Sequence, residues 1–320
     1  MTLKEWNRQA FWVGLAVLLA GTLSFFYWAG KKQVWFCDEI YTYESANGFE
    51  QDWPNASVDQ WMTGGDVEAF FAADWDRLAL NDITVRLYND HVPLYFWLFR
   101  MVSLFCFKGS ASIWIGLSMN LVFYLAVLGL IYGMFLRLTK RALASGTAAL
   151  LTGIVNRLII EQATVLRMYM MLLLAELLLL LAGLWVLRGA DRKKMSAGTF
   201  LYLSAVSGAG FLTHYDYWIF YAVTAALFCL WLFCLGIKKE GKGFWRSWEF
   251  LYVAFWVGNF AVSLFVTIRL FPYCQWNLNR GKGQTALYSL FDFSGKSLSR
   301  LHGGISGCRL PCSEMGHRRG

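Results

Sequence analysis

The sequence predicts an all-α membrane protein, a multi-pass bundle of about seven transmembrane helices with interfacial helices in a large first extracytoplasmic loop. Three observations carry this. The chain is 57% hydrophobic and only 16% charged, where soluble domains carry about 25% charged residues; its mean hydropathy is +0.42. Its apolar residues gather into runs that approach the roughly 20 residues a spanning helix needs. Its basic residues fall in short clusters between those runs, the pattern of cytoplasmic loops.

The runs are 11–29, 113–136, 142–160, 168–187, 197–213, 217–237 and 250–268. The charged residues inside them are Arg157, near the end of the third, and Glu176 in the fourth. Run 11–29 lacks a small-residue cleavage site and reads as an uncleaved helix. The stretch 93–107 is shorter, starts at Pro93 and carries Arg100 at its centre. It reads as an interfacial helix, because a short apolar run with a mid-point charge does not suit a crossing.

Charge placement tests that choice. If 93–107 does not cross, Lys4 and Arg8, the group Arg137, Lys140 and Arg141, the group Arg188 to Lys194, and the group Lys238 to Arg246 all share the inside. The N-terminus is then cytoplasmic. Loop 30–92, segment 157–167, turn 214–216 and the chain from 269 onward lie outside. Lys31 and Lys32 fit this arrangement poorly.

Outer loop 30–92 holds twelve acidic residues against Lys31, Lys32, Arg77 and Arg86, together with Trp53, Trp61, Trp75, Phe70 and Phe71. That is too apolar for a disordered linker, so short amphipathic helices on the membrane surface are expected. The region 271–320 reads as an outer-face loop with a disordered or truncated tail. Cys308, Cys312 and His317 there are the nearest thing to a ligand set, but they lack zinc spacing. Cys37, Cys106, Cys229 and Cys234, in or beside apolar runs, read as small buried hydrophobes. The net charge of +8 suggests nucleic acid only until the clusters are seen to be loop charges; no nucleic-acid partner is expected.

Ionisable groups at membrane depth are candidates for function. Four sets converge on the outer face in this topology: Asp38 and Glu39 after the first run, Asp90 and His91 before Pro93, Arg167 with Tyr169 entering the fourth run, and His214 to Asp216 between the fifth and sixth. Each has a plainer role available, as a cap, a snorkelling cation or a satisfied interfacial histidine. Together they suit a transfer reaction. A carboxylate can take a proton from an acceptor hydroxyl, while Arg and His stabilise a departing phosphate.

Four segments also resemble a known family. FCDEIYTYESANG, NDHVPLYFWLFRMVSLF, QATVLRMYMMLLLAELLLL and THYDYWIFY are similar, in order and spacing, to motifs of the GT-C-fold glycosyltransferases that use polyprenyl-phosphate sugars. That superfamily includes the protein O-mannosyltransferases, the lipid A aminoarabinose transferases and bacterial Rgt-like proteins of glycosyltransferase family 39. The resemblance covers roughly residues 5–270.

It implies Asp38 as catalytic base with Glu39 as its partner. It implies His91, Arg167 and His214 at the donor phosphate, and Asp90 and Tyr169 in support. No cofactor is required; a divalent ion at Asp38 and Asp90 is optional. The chain departs from the motifs at Val92, where the family has proline, and at Val165, where it has glutamate, a role that would fall to Glu161. It also stops after the seventh run, where family members continue, so it reads as C-terminally truncated.

The expected activity is transfer of a sugar from a polyprenyl-phosphate donor to a lipid, glycan or protein acceptor, at a plasma membrane, with bacterial origin. The rivals are an inactive fragment or scaffold of this family, and a transporter, whose ionisable groups would line a path through the bundle. A membrane-impermeant thiol reagent applied from outside should label a cysteine introduced at Asp66 and miss one at Lys193. Labelling at Lys193 alone, or at both, would overturn this topology.

Overall fold

The computed structural model describes residues 3–48, 61, 63–75, 78–87, 91–191 and 197–270. These belong to one unit, Met1–Leu270; Phe271–Gly320 forms a second, and the expectations for that tail lie outside the described residues. Among the described residues the fold is all-helical.

Among the described residues five helices are long and apolar enough to cross a membrane: α1 (Leu3–Gly30), α6 (Trp114–Thr139), α9 (Tyr169–Asp191), α11 (Asp216–Glu240) and α12 (Trp248–Leu270). Between α1 and α6 lie the short helices α2 (Cys37–Asn47), α3 (Gly64–Phe71), α4 (Asn81–Arg86) and α5 (Leu94–Cys106). Then α7 (Ala142–Leu150) and α8 (Arg157–Thr164) precede α9, and α10 (Ala197–Phe211) precedes α11.

Two expected spans differ from the sequence reading. Run 142–160 is not one straight helix. It loosens into a π turn over Leu151–Val155 and bends by 61° at Asn156. The Asn156 side chain then caps α8 by accepting the Leu158 N–H at 3.1 Å, a common way to start a helix. The freed Gly153 carbonyl accepts the Tyr124 hydroxyl at 3.1 Å. Gly153 lets the helices approach closely: a Cβ there would sit 2.0 Å from a Leu128 methyl, which would have to shift. Counting the bent pair as one span gives six. Helix α10, expected over 197–213, has 15 residues, about 22 Å at 1.5 Å per residue, and falls short of a bilayer core of about 30 Å.

Direction alternates along the chain. Trp6 Nε1–H donates to the Lys140 carbonyl at 3.1 Å and Tyr132 to Ala10 at 2.6 Å, while Phe26 packs on Trp114 at the other end. Helices α1 and α6 are therefore antiparallel. Arg8, Arg137, Lys140 and Arg141 collect at one end of the bundle. The loops carrying Asp38, His91, Arg167 and His214 collect at the other. Helix α5 does not traverse: its Leu94 N–H bonds Leu212 O at 3.0 Å at that site end, and its C-terminus leads through a short loop into the start of α6.

The core has two parts that share α9. Met168, Met170 and Met171 pack with α1, α5 and α6. Leu172, Ala175, Leu179 and Ala182 pack with α10, α11 and α12. In lipid, close contact and hydrogen bonds replace much of the hydrophobic drive. Asn259 of α12 illustrates this: it donates to Ser204 at 2.8 Å and accepts from Ser207 at 2.7 Å and Tyr221 at 3.0 Å. Each such bond contributes about 0.6 kcal/mol.

The loop helices are held by one fully buried cation. Arg100 of α5 donates to Ala46 O at 2.6 Å, Gly48 O at 3.3 Å, Ala79 O at 2.8 Å and both oxygens of Asp82 at 3.0 Å. It ties α5 to the end of α2 and the start of α4. Removing one partner of a buried pair leaves the other uncompensated, a loss of about 3–5 kcal/mol. Asp82 is 29% exposed and water relieves part of that. Arg100→Ala should therefore lower unfolding stability in detergent by about 3 kcal/mol, measured by tryptophan fluorescence. Arg157→Ala, at an exposed i,i+4 pair with Glu161, is the control; an Arg100 effect no larger than it would discount the clamp.

Candidate active site

Helix α2 starts where the chain leaves α1. Its first turn carries Asp38 and Glu39, placed well for the positive end of a helix dipole. The two acids have opposite environments. The Asp38 side chain is 43% exposed. Glu39 is fully buried, and its carboxylate accepts the Phe36 N–H at 2.7 Å, the Leu166 N–H at 2.8 Å and the Lys32 ammonium at 2.7 Å. Both Glu39 oxygens are thus engaged by protein donors and the side chain is fully buried, which makes it a structural partner to Asp38.

The same geometry accounts for the two lysines that fit the charge pattern badly. Lys32 neutralises Glu39, and Lys31 lies 4.6 Å over the Tyr27 ring.

Arg167 stands in the short break between α8 and α9 and is 6% exposed. Its guanidinium donates to Asp38 O at 3.2 Å, to Thr42 Oγ1 at 3.4 Å and to His91 Nε2 at 3.1 Å. Its nearest approach to the Asp38 carboxylate is 3.9 Å, an ion pair too long for a hydrogen bond. Its Nε–H is buried with no hydrogen-bond partner among the described residues, a state that costs about 1–3 kcal/mol.

Guanidinium nitrogens only donate. His91 Nε2 must therefore be the lone-pair nitrogen, and the proton of this neutral imidazole sits on Nδ1. The ring stacks on Phe96 at 5.8 Å.

His214 lies beside it, with ring centroids 6.4 Å from His91 and 5.8 Å from Tyr169. Its Nδ1 accepts the Asp216 N–H at 3.1 Å, and Asp216 Oδ2 lies 3.4 Å from the same nitrogen. The two contacts imply different protonation states. Burial decides between them: desolvation pushes the His214 pKa down, against the pull of Asp216 and with help from Arg167. His214 is neutral at pH 7, its proton is on Nε2, and the carboxylate contact is not an ion pair.

Asp38, His91, Arg167, Tyr169 and His214 therefore come together from four separate segments. Asp90 lies outside the described residues. Among the described residues no group of three or more His, Cys, Asp and Glu side chains could hold a metal ion; the optional pairing of Asp38 with Asp90 falls partly outside them. Thr42 and Lys32 were not legible as site residues, having no spacing to mark them. A cavity of about 420 Å³ is lined by Trp35, Ile40, Val67, Glu68 and Phe71 and by none of the residues of this cluster.

The His214 shift has a sign. Its folded pKa is below the unfolded value of about 6.5, so the unfolded chain binds the proton first. The contribution to stability is fully present above about pH 6.5 and falls as pH drops towards the folded pKa. As pH falls below about 6.5 the unfolding midpoint of the wild type should therefore drop more steeply than that of His214→Gln; parallel curves would refute a neutral buried His214. No protein-family model, curated protein or solved structure matches this chain.

Proposed function

We propose that this chain is a membrane glycosyltransferase that moves a sugar from a polyprenyl-phosphate donor to an acceptor hydroxyl at the site end of the bundle. The site end is then the extracytoplasmic face, as the charge pattern predicts. What supports this reading is a single juxtaposition: a buried guanidinium, one N–H of which has no partner among the described residues, lies 3.9 Å from a half-exposed carboxylate and bonds a neutral imidazole. The resemblance of the four sequence segments points the same way.

In the proposed step the acceptor oxygen attacks the anomeric carbon, and the bond from that carbon to the phosphate oxygen breaks. The electron pair leaves with the lipid phosphate. Asp38 takes the acceptor proton, which its exposure permits. Arg167 stabilises the charge that grows on the phosphate, and the N–H groups of His91 and His214 add donors without adding charge. Attack opposite the leaving group inverts the anomeric centre.

Purified protein incubated with a panel of polyprenyl-phosphate sugars should release polyprenyl phosphate. Asp38→Asn should slow release by about 10²–10⁴-fold, and Arg167→Ala by about 10²–10³-fold, with expression unchanged. Release that is indifferent to both substitutions would sink this assignment of roles.

A further inference from the structure

The break between α8 and α9 leaves Val165, Leu166 and Arg167 outside any helix, yet Leu166 is fully buried and Arg167 nearly so. Buried backbone groups need partners, and two side chains from elsewhere supply them. The Leu166 N–H goes to Glu39 Oε1 at 2.8 Å, and the Val165 carbonyl accepts the Asn120 side-chain N–H at 2.6 Å. The same carbonyl accepts the Arg167 N–H at 2.8 Å, closing a tight turn. Asn120 is fully buried on α6, and its Oδ1 lies 3.5 Å from the Tyr95 hydroxyl. Burial pushes the Tyr95 phenol up, so it remains a donor at all ordinary pH. Gly116, one turn before Asn120, lets α6 approach closely: a Cβ there would lie 2.9 Å from the Leu166 side chain.

From this we infer that Asn120 and Glu39 are positioning residues that hold the 165–167 corner from its two sides and thereby aim the Arg167 guanidinium at His91 and Asp38. Neither touches substrate. Asn120 sits in an otherwise apolar run, where a buried amide side chain is costly unless bonded, and here its bond ends on the residue two before Arg167. This inference rests on the transferase reading for its catalytic half only.

Two measurements separate the halves. Hydrogen exchange on the full chain in detergent should show faster exchange of the amides around 162–168 in Asn120→Ala and Glu39→Ala. Glu39→Gln, which keeps an acceptor oxygen, should be intermediate, and Arg167→Ala should be unchanged. Unaltered exchange in both alanine variants overturns the holding role whatever the activity.

In sugar transfer, Asn120→Ala should lower kcat by about 10²-fold, the scale of an ångström misplacement, with KM for the acceptor unchanged. The double variant with Arg167→Ala should be no slower than Arg167→Ala alone. Losses that multiply would show that Asn120 acts other than through Arg167 and would overturn the inference. If the wild type transfers no sugar, the proposed activity and the catalytic half fall together, and exchange alone decides whether the corner is held.

Discussion

The architecture of the site end depends on one buried carboxylate that satisfies a broken helix. An α-helix in an apolar bundle meets its own backbone needs, and a break does not. Between Thr164 and Tyr169 the chain turns inside the packed core, and the buried Leu166 N–H lies outside the helical ladder, with no preceding carbonyl to bond. Glu39 supplies the acceptor. Because that carboxylate is fully buried, its charge must itself be met, and Lys32 at the end of α1 meets it. A cation that looks misplaced on the charge map is thus required by an anion required by a turn.

From that pair the placement of α2 follows. Its N-terminal turn is fixed to the α8–α9 corner through Glu39, and its C-terminal end is fixed to α5 through the bonds from Arg100 to Ala46 and Gly48. A helix of 11 residues is marginal by itself; held at both ends it becomes a rigid carrier for Asp38. Tyr43 adds a third tie, its hydroxyl donating to Ser112 at 2.6 Å. The adjacent acids in the first turn therefore diverge by environment, Glu39 locked inward and Asp38 left at the surface beside Arg167.

The sequence made some of this legible and not the rest, for physical reasons. Long apolar runs and alternating basic clusters locate α1, α6, α9, α11 and α12, because lipid imposes length and charge rules that composition records directly. The same alternation brings Asp38, His91, Arg167 and His214 to one end. The bend at Asn156 was hidden, since apolar composition runs almost unbroken across it and only an asparagine marks the new cap. Arg100 was read as an obstacle to crossing, which is right about α5 but silent on the five acceptor atoms it gathers. Asn120 carried no signal at all, because its partner is a backbone carbonyl 45 residues away and such partners leave no spacing in a sequence.

On the transferase reading, the charge balance of the site explains why a carboxylate and a guanidinium stand together with neutral imidazoles in place of more cations. Before transfer the site would hold Arg167 as +1, Asp38 as −1 and a sugar-linked phosphodiester as −1. After transfer the phosphate is a monoester, which loses its second proton at about pH 6, while Asp38 has gained the acceptor proton. The total is −1 on both sides. Negative charge that appears on the leaving phosphate disappears from Asp38, so the site beside the buried Arg167 guanidinium need not accommodate a net change of charge. A protonated His91 or His214 would hold the product dianion more tightly and retard its release. Donation from Arg167 to His91 Nε2, and burial at His214, keep both rings neutral, which reconciles stabilising the departing group with letting it go.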